Sequence, residues 1–239
     1  MKRSATSWKS PILIAAIVAG SSLVAFAGTP LICQAIAIGD AKSLPWTSST
    51  AFLNGKENYD ITHLANDTLA LLTPTMPVIV RMETLRRATV YAQKDPQVAK
   101  ELLLKLRARA LEGGAQASPD ALALFDLGYF VECTKQANVT FRKVEGGAYE
   151  PVVQPNVASG MDGLAWVEKA IAMRGNDPEM ELAAALITVW PRQKSFDDHL
   201  RRAASGAREG TLLAQNLVER FGDRGRTIAE LRANLAPSR

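Results

Sequence analysis

Residues 118–133 read SPDALALFDLGYFVEC, and this stretch decides the fold class. It opens with a typical helix start, because Ser and Asp side chains cap the first turn and proline fits the first helical position. The residues that follow are apolar on most sides of a helix, with Leu122, Phe125, Tyr129 and Cys133 on one stripe and Leu124, Leu127 and Val131 on another. Because a helix that is apolar nearly all round is buried, we predict that it forms the centre of the core.

Similar start signals recur along the chain on both sides of this helix. Asp60 is a typical capping residue, and Pro77, Pro96 and Pro178 each stand where a helix can begin. The predicted helices cover about 60–72, 77–93, 96–112, 118–133, 160–174 and 177–190, then two segments within 195–221 hinged near Gly206 and Gly210, and a short helix from Thr227.

This pattern predicts an all-α fold. Residues 139–144 and 148–153 could form a small hairpin, in which Pro151 favours an edge position or a plain loop. About seven to nine helices with short connections predict one domain over residues 60–239, built of stacked antiparallel helical hairpins.

The N-terminus has the three parts of a secretory signal peptide. Residues 1–10 are basic, residues 11–26 are almost entirely apolar, and Ala25 to Ala27 form a small-x-small cleavage site before Gly28. We predict cleavage between Ala27 and Gly28 and export to the periplasm or the extracellular space. The alternative is an uncleaved inner-membrane anchor, although the apolar stretch reaches only about 24 Å of a hydrocarbon core of about 30 Å.

The charge balance depends on this segment. The whole chain has 239 residues and a net charge of +4, but residues 1–27 hold three of its basic residues and no acid. Without them, 25 basic residues face 24 acidic ones, a net charge of +1. The sequence therefore predicts no nucleic-acid partner, and membrane contact only through an uncleaved N-terminal segment.

Residues 28–59 lack a helical period and predict an irregular, surface-crossing segment, in which residues 31–33 and 35–38 are apolar enough to dock against another part of the fold. This segment carries Cys33, and Cys133 lies on the central helix. An even number of cysteines in an exported chain predicts a Cys33–Cys133 disulfide, which would dock the segment on that helix. The alternative is two buried thiols that act as small hydrophobic side chains.

Residues 170–186, AIAMRGNDPEMELAAAL, resemble the junction between tetratricopeptide repeats, where an alanine-rich helix is followed by Asn-Asp-Pro and a new amphipathic helix. The resemblance implies stacked helical hairpins. The helix starts at 96, 119 and 178 do not follow the family's period of about 34 residues. The family's aromatic, leucine–glycine and tyrosine positions are also unmet, so no functional residue carries over.

The sequence contains none of the common catalytic or phosphate-binding motifs, and it predicts no cofactor. Two cysteines and two histidines without close spacing do not predict a metal site. His63 is expected to be half-buried on a helix, and His199 to lie on a solvated, charged face. Asp126 could have a raised pKa and a role, or it could be exposed or paired with an arginine.

The segment 138–158 is the best candidate contact surface, because irregular segments on rigid scaffolds often carry binding. Phe141 and Tyr149 of this segment, together with Asp126 and Tyr129, form the candidate binding surface. The leading hypothesis is an exported, non-catalytic helical scaffold or protein-interaction module of the cell envelope, with a protein partner. The alternative is a periplasmic enzyme or small-ligand binder with its site near Asp126 and 138–158.

Overall fold

A computed structural model describes residues 31–47, 55–111, 120–143, 149–189 and 195–236. The predicted signal peptide and its cleavage site lie outside these ranges. The described part is mostly helical, which confirms the all-α class. Its helices are a 3-10 turn at Ile61–His63, then α1 (Leu64–Leu71), α2 (Val78–Ala92), α3 (Pro96–Leu111), α4 (Ala121–Ala137), α5 (Gly163–Met173), α6 (Pro178–Thr188), α7 (Phe196–Gly206), α8 (Leu212–Phe221) and α9 (Ile228–Leu235).

Most helices begin where the sequence predicts, because their own capping residues satisfy the first N–H groups. The Asp120 carboxylate accepts a hydrogen bond from the Leu122 N–H, and the Asp177 carboxylate accepts from the Glu179 N–H. Thr227 caps α9 in the same way. Each such cap contributes about 0.5–2 kcal/mol to stability, so local sequence sets these boundaries.

Helix α4 is central, as predicted. It packs against α2, α3 and α5, while α6 pairs with α7 and also contacts α2 and α8. Phe125, Leu127, Phe130 and Val131 of α4 are fully buried on different sides of the helix. Within the described residues, no helix has both the length and the apolar character needed to cross a bilayer.

Two helices are capped by glutamates from other helices. The Glu179 carboxylate accepts from the Ile79 N–H at 2.8 Å and so caps α2, which has no side-chain cap of its own. The Glu132 carboxylate accepts from the Gly163 N–H at 2.9 Å, at the start of α5. A carboxylate at a helix N-terminus is favoured by the helix dipole. These long-range caps therefore tie α6 to α2 and α4 to α5.

The predicted hairpin is present as β1 (Val139–Lys143) and β2 (Tyr149–Val153), which pair antiparallel. Pro151 lies opposite Phe141 in this register. The Gln154 N–H donates to the Asn138 carbonyl, so the hydrogen-bonded pairs fall on even-numbered residues and Pro151 has its nitrogen on the outer edge. An edge position for Pro151 is thereby confirmed.

Residues 31–47, which we call the strap, have almost no regular secondary structure, as predicted. These residues run along the surface, where 39–42 are exposed, and they also dock on the helices. Their apolar side chains Leu31, Ile32, Ile36, Ile38 and Leu44 are all buried, and they belong to the same hydrophobic core as the helices. The strap is therefore an integral part of the domain.

Candidate functional site

Asp126, the first of the predicted site residues, is fully buried on α4. Its Oδ2 atom lies 2.5 Å from Nη1 of Arg81 on α2, which is also fully buried. Arg81 in turn donates to the carbonyls of Thr73 and Met76 in the loop before α2. Burial raises the pKa of Asp126 to about 6, although Arg81 opposes this shift. The arginine-paired alternative is confirmed, and the pair joins α2 to α4.

Two of the four residues of the candidate binding surface, Asp126 and Tyr129, lie inside the core. Tyr129 is fully buried, where it stacks on Phe125 with ring centroids 5.6 Å apart. Burial raises the pKa of its phenol well above the usual value. Since Asp126 and Tyr129 are both inside the core, neither can contribute to a surface. Phe141 and Tyr149 lie at alternate register positions of the hairpin, and their part in binding stays a prediction.

The predicted disulfide is wrong: Cys33 and Cys133 are not bonded to each other. Polar side chains dock the strap on α4 instead, as the Leu31 N–H donates to Oε1 of Gln136 at 3.0 Å. Cys133 is fully buried, and burial raises the pKa of its thiol, which disfavours the reactive thiolate. The alternative of a buried, hydrophobic thiol describes Cys133.

The expectation for His199 is also wrong. It is buried at the α6–α7 contact, with Nδ1 2.6 Å from Oε2 of Glu181, whose Oε1 accepts from Arg202 Nε at 2.6 Å. Burial alone would raise the pKa of Glu181, but these hydrogen bonds outweigh it and hold the pKa low. His63 is exposed rather than half-buried. The burial of each histidine depends on which helix packs against it, and the local sequence does not contain this information.

The strap is held by its backbone rather than by its side chains alone. Asn216 of α8 pairs with both polar groups of Ala37: Oδ1 accepts from its N–H at 2.9 Å, and Nδ2 donates to its carbonyl at 2.8 Å. The N–H and the carbonyl of one residue point in the same direction only in an extended chain, so the strap is extended at Ala37. Arg220, one turn further along α8, donates to the carbonyls of Gln34 and Ala35.

On its other side the strap contacts a buried ion cluster on α2. Glu83 accepts from Arg86 and Arg87 and from the Ile36 N–H at 3.0 Å. Arg86 also donates to the Ile32 carbonyl. Burial raises the pKa of Glu83, but the arginines and this N–H outweigh it and lower the pKa below its usual value. The carboxylate therefore stays charged inside the protein.

A polar groove of about 690 Å³ is lined by the strap together with α2 and α8. We call it the strap groove, and its lining consists of residues 35–41, Trp46, Glu83, Arg87, Gln215 and Glu219. Arg87 is already paired with Glu83, at 2.8 Å. Asp40 and Glu219 are both exposed, and among the described residues neither forms an ion pair. The groove therefore presents two carboxylates that form no salt bridge with the described residues, and Glu219 accepts a hydrogen bond from Gln215 at 2.8 Å.

Of the residues that build this groove, sequence reasoning singled out only 35–38, as an apolar stretch that could dock, and it missed those of α2 and α8. One usable signal was Glu83, Arg86 and Arg87 at i, i+3 and i+4, which places a carboxylate beside two guanidinium groups on one helix face. Another was Asn216, a polar residue between the apolar stripe positions Leu213 and Leu217. Neither signal identifies the strap as the partner.

Within the described ranges, no cluster of three or more histidine, cysteine, aspartate or glutamate side chains has the geometry of a metal site. Comparisons with protein-family models, with curated proteins and with solved structures find no significant match for this chain. The groove and its charges therefore have to be interpreted from their own chemistry.

Proposed function

We propose that this protein is an exported, non-catalytic helical scaffold that binds a partner protein in the strap groove. The observation that carries the proposal is the groove itself, in which an extended chain forms one wall and the carboxylates of Asp40 and Glu219 form no salt bridge within the described part of the chain. The helices here already hold one extended segment through its backbone, as the contacts of Asn216 and Arg220 show. Stacked helices commonly bind peptides in this manner.

The charges in the groove favour a basic partner segment. Asp40 lies on the strap and Glu219 on α8, so two different elements of the groove each carry a carboxylate. A Lys or Arg side chain between them would gain electrostatic energy and would raise the rate of association. Trp46 is not part of this attraction, because Arg86 and Arg87 already lie over its ring at 5.1 and 5.5 Å.

The enzyme alternative near Asp126 has less support. Asp126 lines neither the strap groove nor the smaller cleft beside the 138–158 segment. Its carboxylate is joined to Arg81 inside the core, where both side chains are fully buried. The ion pair of Asp126 with Arg81 joins α4 to α2, which gives Asp126 a structural role.

Export, cleavage after Ala27 and the stacked-hairpin arrangement belong to the same proposal. The first strap residues, Leu31 and Ile32, are buried, and cleavage before Gly28 would leave them in the mature chain. The intact mass of the protein recovered from the cell envelope tests this part. A mass that includes residues 1–27 would contradict cleavage and favour the anchor alternative.

Site-specific photocrosslinking in cells tests the binding site. A benzophenone amino acid replaces Gln215, which lines the groove, or Leu104, which is 53% exposed on α3 and serves as the control. A discrete adduct from position 215 that is absent from position 104 and weakened by Asp40→Lys is expected. No adduct at 215, or the same adducts at both positions, would overturn the proposal.

A further inference from the structure

A second cavity, of about 390 Å³, lies on another side of the molecule. Its walls come from the end of α2, the start of α3, the end of α4 and the segment 155–157 that follows the hairpin. This volume falls within the range of about 300–1,000 Å³ that is typical of small-molecule sites. We call it the neutral cleft, because none of its lining side chains is ionisable.

Two helix C-termini meet at this cleft. Gln93 is the C-cap of α2 and Asn138 is the C-cap of α4, and both residues line the cavity. The C-terminal end of a helix carries about half a unit of negative charge on its last carbonyl groups. The start of α3 at Pro96 also lines the cleft, and its positive end offsets part of this charge, so the helix ends leave no strong net potential there.

The side-chain donors at the cleft are largely engaged. The Thr89 and Thr134 hydroxyls donate to the carbonyls one turn earlier in their helices. Nε2 of Gln93 donates to the Ala137 carbonyl and Nδ2 of Asn138 to the Thr134 carbonyl, each at 2.9 Å. These contacts set both amides, so their oxygens are available as acceptors. The rest of the lining includes the small apolar side chains of Ala92, Ala99 and Val157.

From this geometry we propose that the neutral cleft binds a small uncharged molecule that has N–H or O–H donors and one apolar face. An anion would meet two helix C-termini and engaged side-chain donors, and the one helix N-terminus at the cleft is already capped by the Asp95 carboxylate, so the anion would lose its hydration without compensation. A cation would find acceptors but no counter-ion. The proposal is independent of the strap groove, since the two sites share no residue.

Three probes of the same shape test the charge requirement: benzamide, benzoate and benzamidinium. Each is titrated into the isotope-labelled protein as isolated from cells, and backbone amide shifts are followed by NMR. Benzamide is expected to shift the signals of Gln93, Asn138 and Val157 with saturation in the millimolar range, and to bind at least fivefold more tightly than either ion. Equal or tighter binding of benzoate would overturn the proposal, and so would the absence of benzamide shifts at the cleft.

Two substitutions sharpen the test. Gln93→Glu at this exposed C-cap places a carboxylate at the cleft, and it is expected to reverse the order so that benzamidinium binds more tightly than benzamide. Ala99→Phe is expected to fill the cleft and abolish benzamide binding, while Leu104→Phe on the exposed face of the same helix leaves binding unchanged. An unchanged order in Gln93→Glu would contradict the assignment even if Ala99→Phe fails to fold.

Discussion

Gly128 of α4 and Gly163 of α5 lie in direct backbone contact. A Cβ atom added to Gly128 would lie 2.6 Å from the Gly163 carbonyl oxygen, and one added to Gly163 would lie 2.5 Å from the Gly128 oxygen. Side-chain carbon atoms do not approach oxygen this closely. The central helix therefore crosses α5 at a distance that only glycine permits, and this approach brings Glu132 to the start of α5.

Replacement of Gly128 by alanine is expected to destabilise the fold by about 1–3 kcal/mol, because the two helices must move apart. In an unconstrained helix the same change stabilises by about 1 kcal/mol, so the sign of the effect is diagnostic. Urea denaturation of wild type and Gly128→Ala measures it, with Leu104→Ala as an exposed control. A more stable Gly128→Ala variant would show that the close crossing is absent.

Loss of the Asn216 amide is expected to loosen the strap. Asn216→Leu leaves the N–H and carbonyl of Ala37 without partners and should cost about 1–3 kcal/mol. Amide hydrogen exchange at Ala37 should become faster in this variant. Gln215→Leu, at the exposed neighbouring position, should stay within about 0.5 kcal/mol of wild type. Unchanged exchange at Ala37 in Asn216→Leu would contradict the backbone contact.

Acidification is expected to stabilise the folded state through Asp126. Burial raises its pKa from 3.8 to about 6, so between these values the folded state binds a proton that the unfolded chain does not. The contribution of this group to the free energy of unfolding therefore increases as the pH falls through 6 and levels off below the unfolded pKa. Its size is on the order of 3 kcal/mol, since a tenfold change in proton affinity is about 1.4 kcal/mol.

Comparison with Asp126→Asn isolates this contribution. Glu83 and Glu181 have lowered pKa values, so they lose stabilisation on acidification in both proteins alike. Denaturation between pH 4 and pH 7 should show wild type gaining on Asp126→Asn as the pH falls. A difference that does not vary with pH would contradict the raised pKa.

The helices could be predicted from the sequence because their boundaries depend on local signals. Asp120, Asp177 and Thr227 each cap the helix that follows them, and Pro96 and Pro178 start theirs. The hairpin was also predictable, since Pro151 excludes a central strand and tolerates an edge. In each case the deciding contact lies within a few residues of the signal.

The site could not be predicted, because its contacts join distant parts of the chain. Asn216 lies 179 residues from Ala37, and Arg220 lies 186 residues from Gln34. His199 is buried by its contact with Glu181 on another helix, which its own polar neighbours in the sequence do not indicate. A disulfide was a reasonable way to attach the strap, but buried hydrogen bonds attach it instead.

The central claim is that the strap groove binds a basic extended segment, and fluorescence anisotropy with two labelled peptides tests it most directly. An alternating Lys-Ala peptide should bind, and a Glu-Ala peptide should not, even though residues 28–239 carry a net charge of +1. Asp40→Asn/Glu219→Gln should weaken binding of the Lys-Ala peptide at least fivefold, about 1 kcal/mol. Glu101→Gln/Asp198→Asn, which removes the same charge from exposed positions elsewhere, should not. Equal binding of the two peptides, or equal losses in the two variants, would contradict the account.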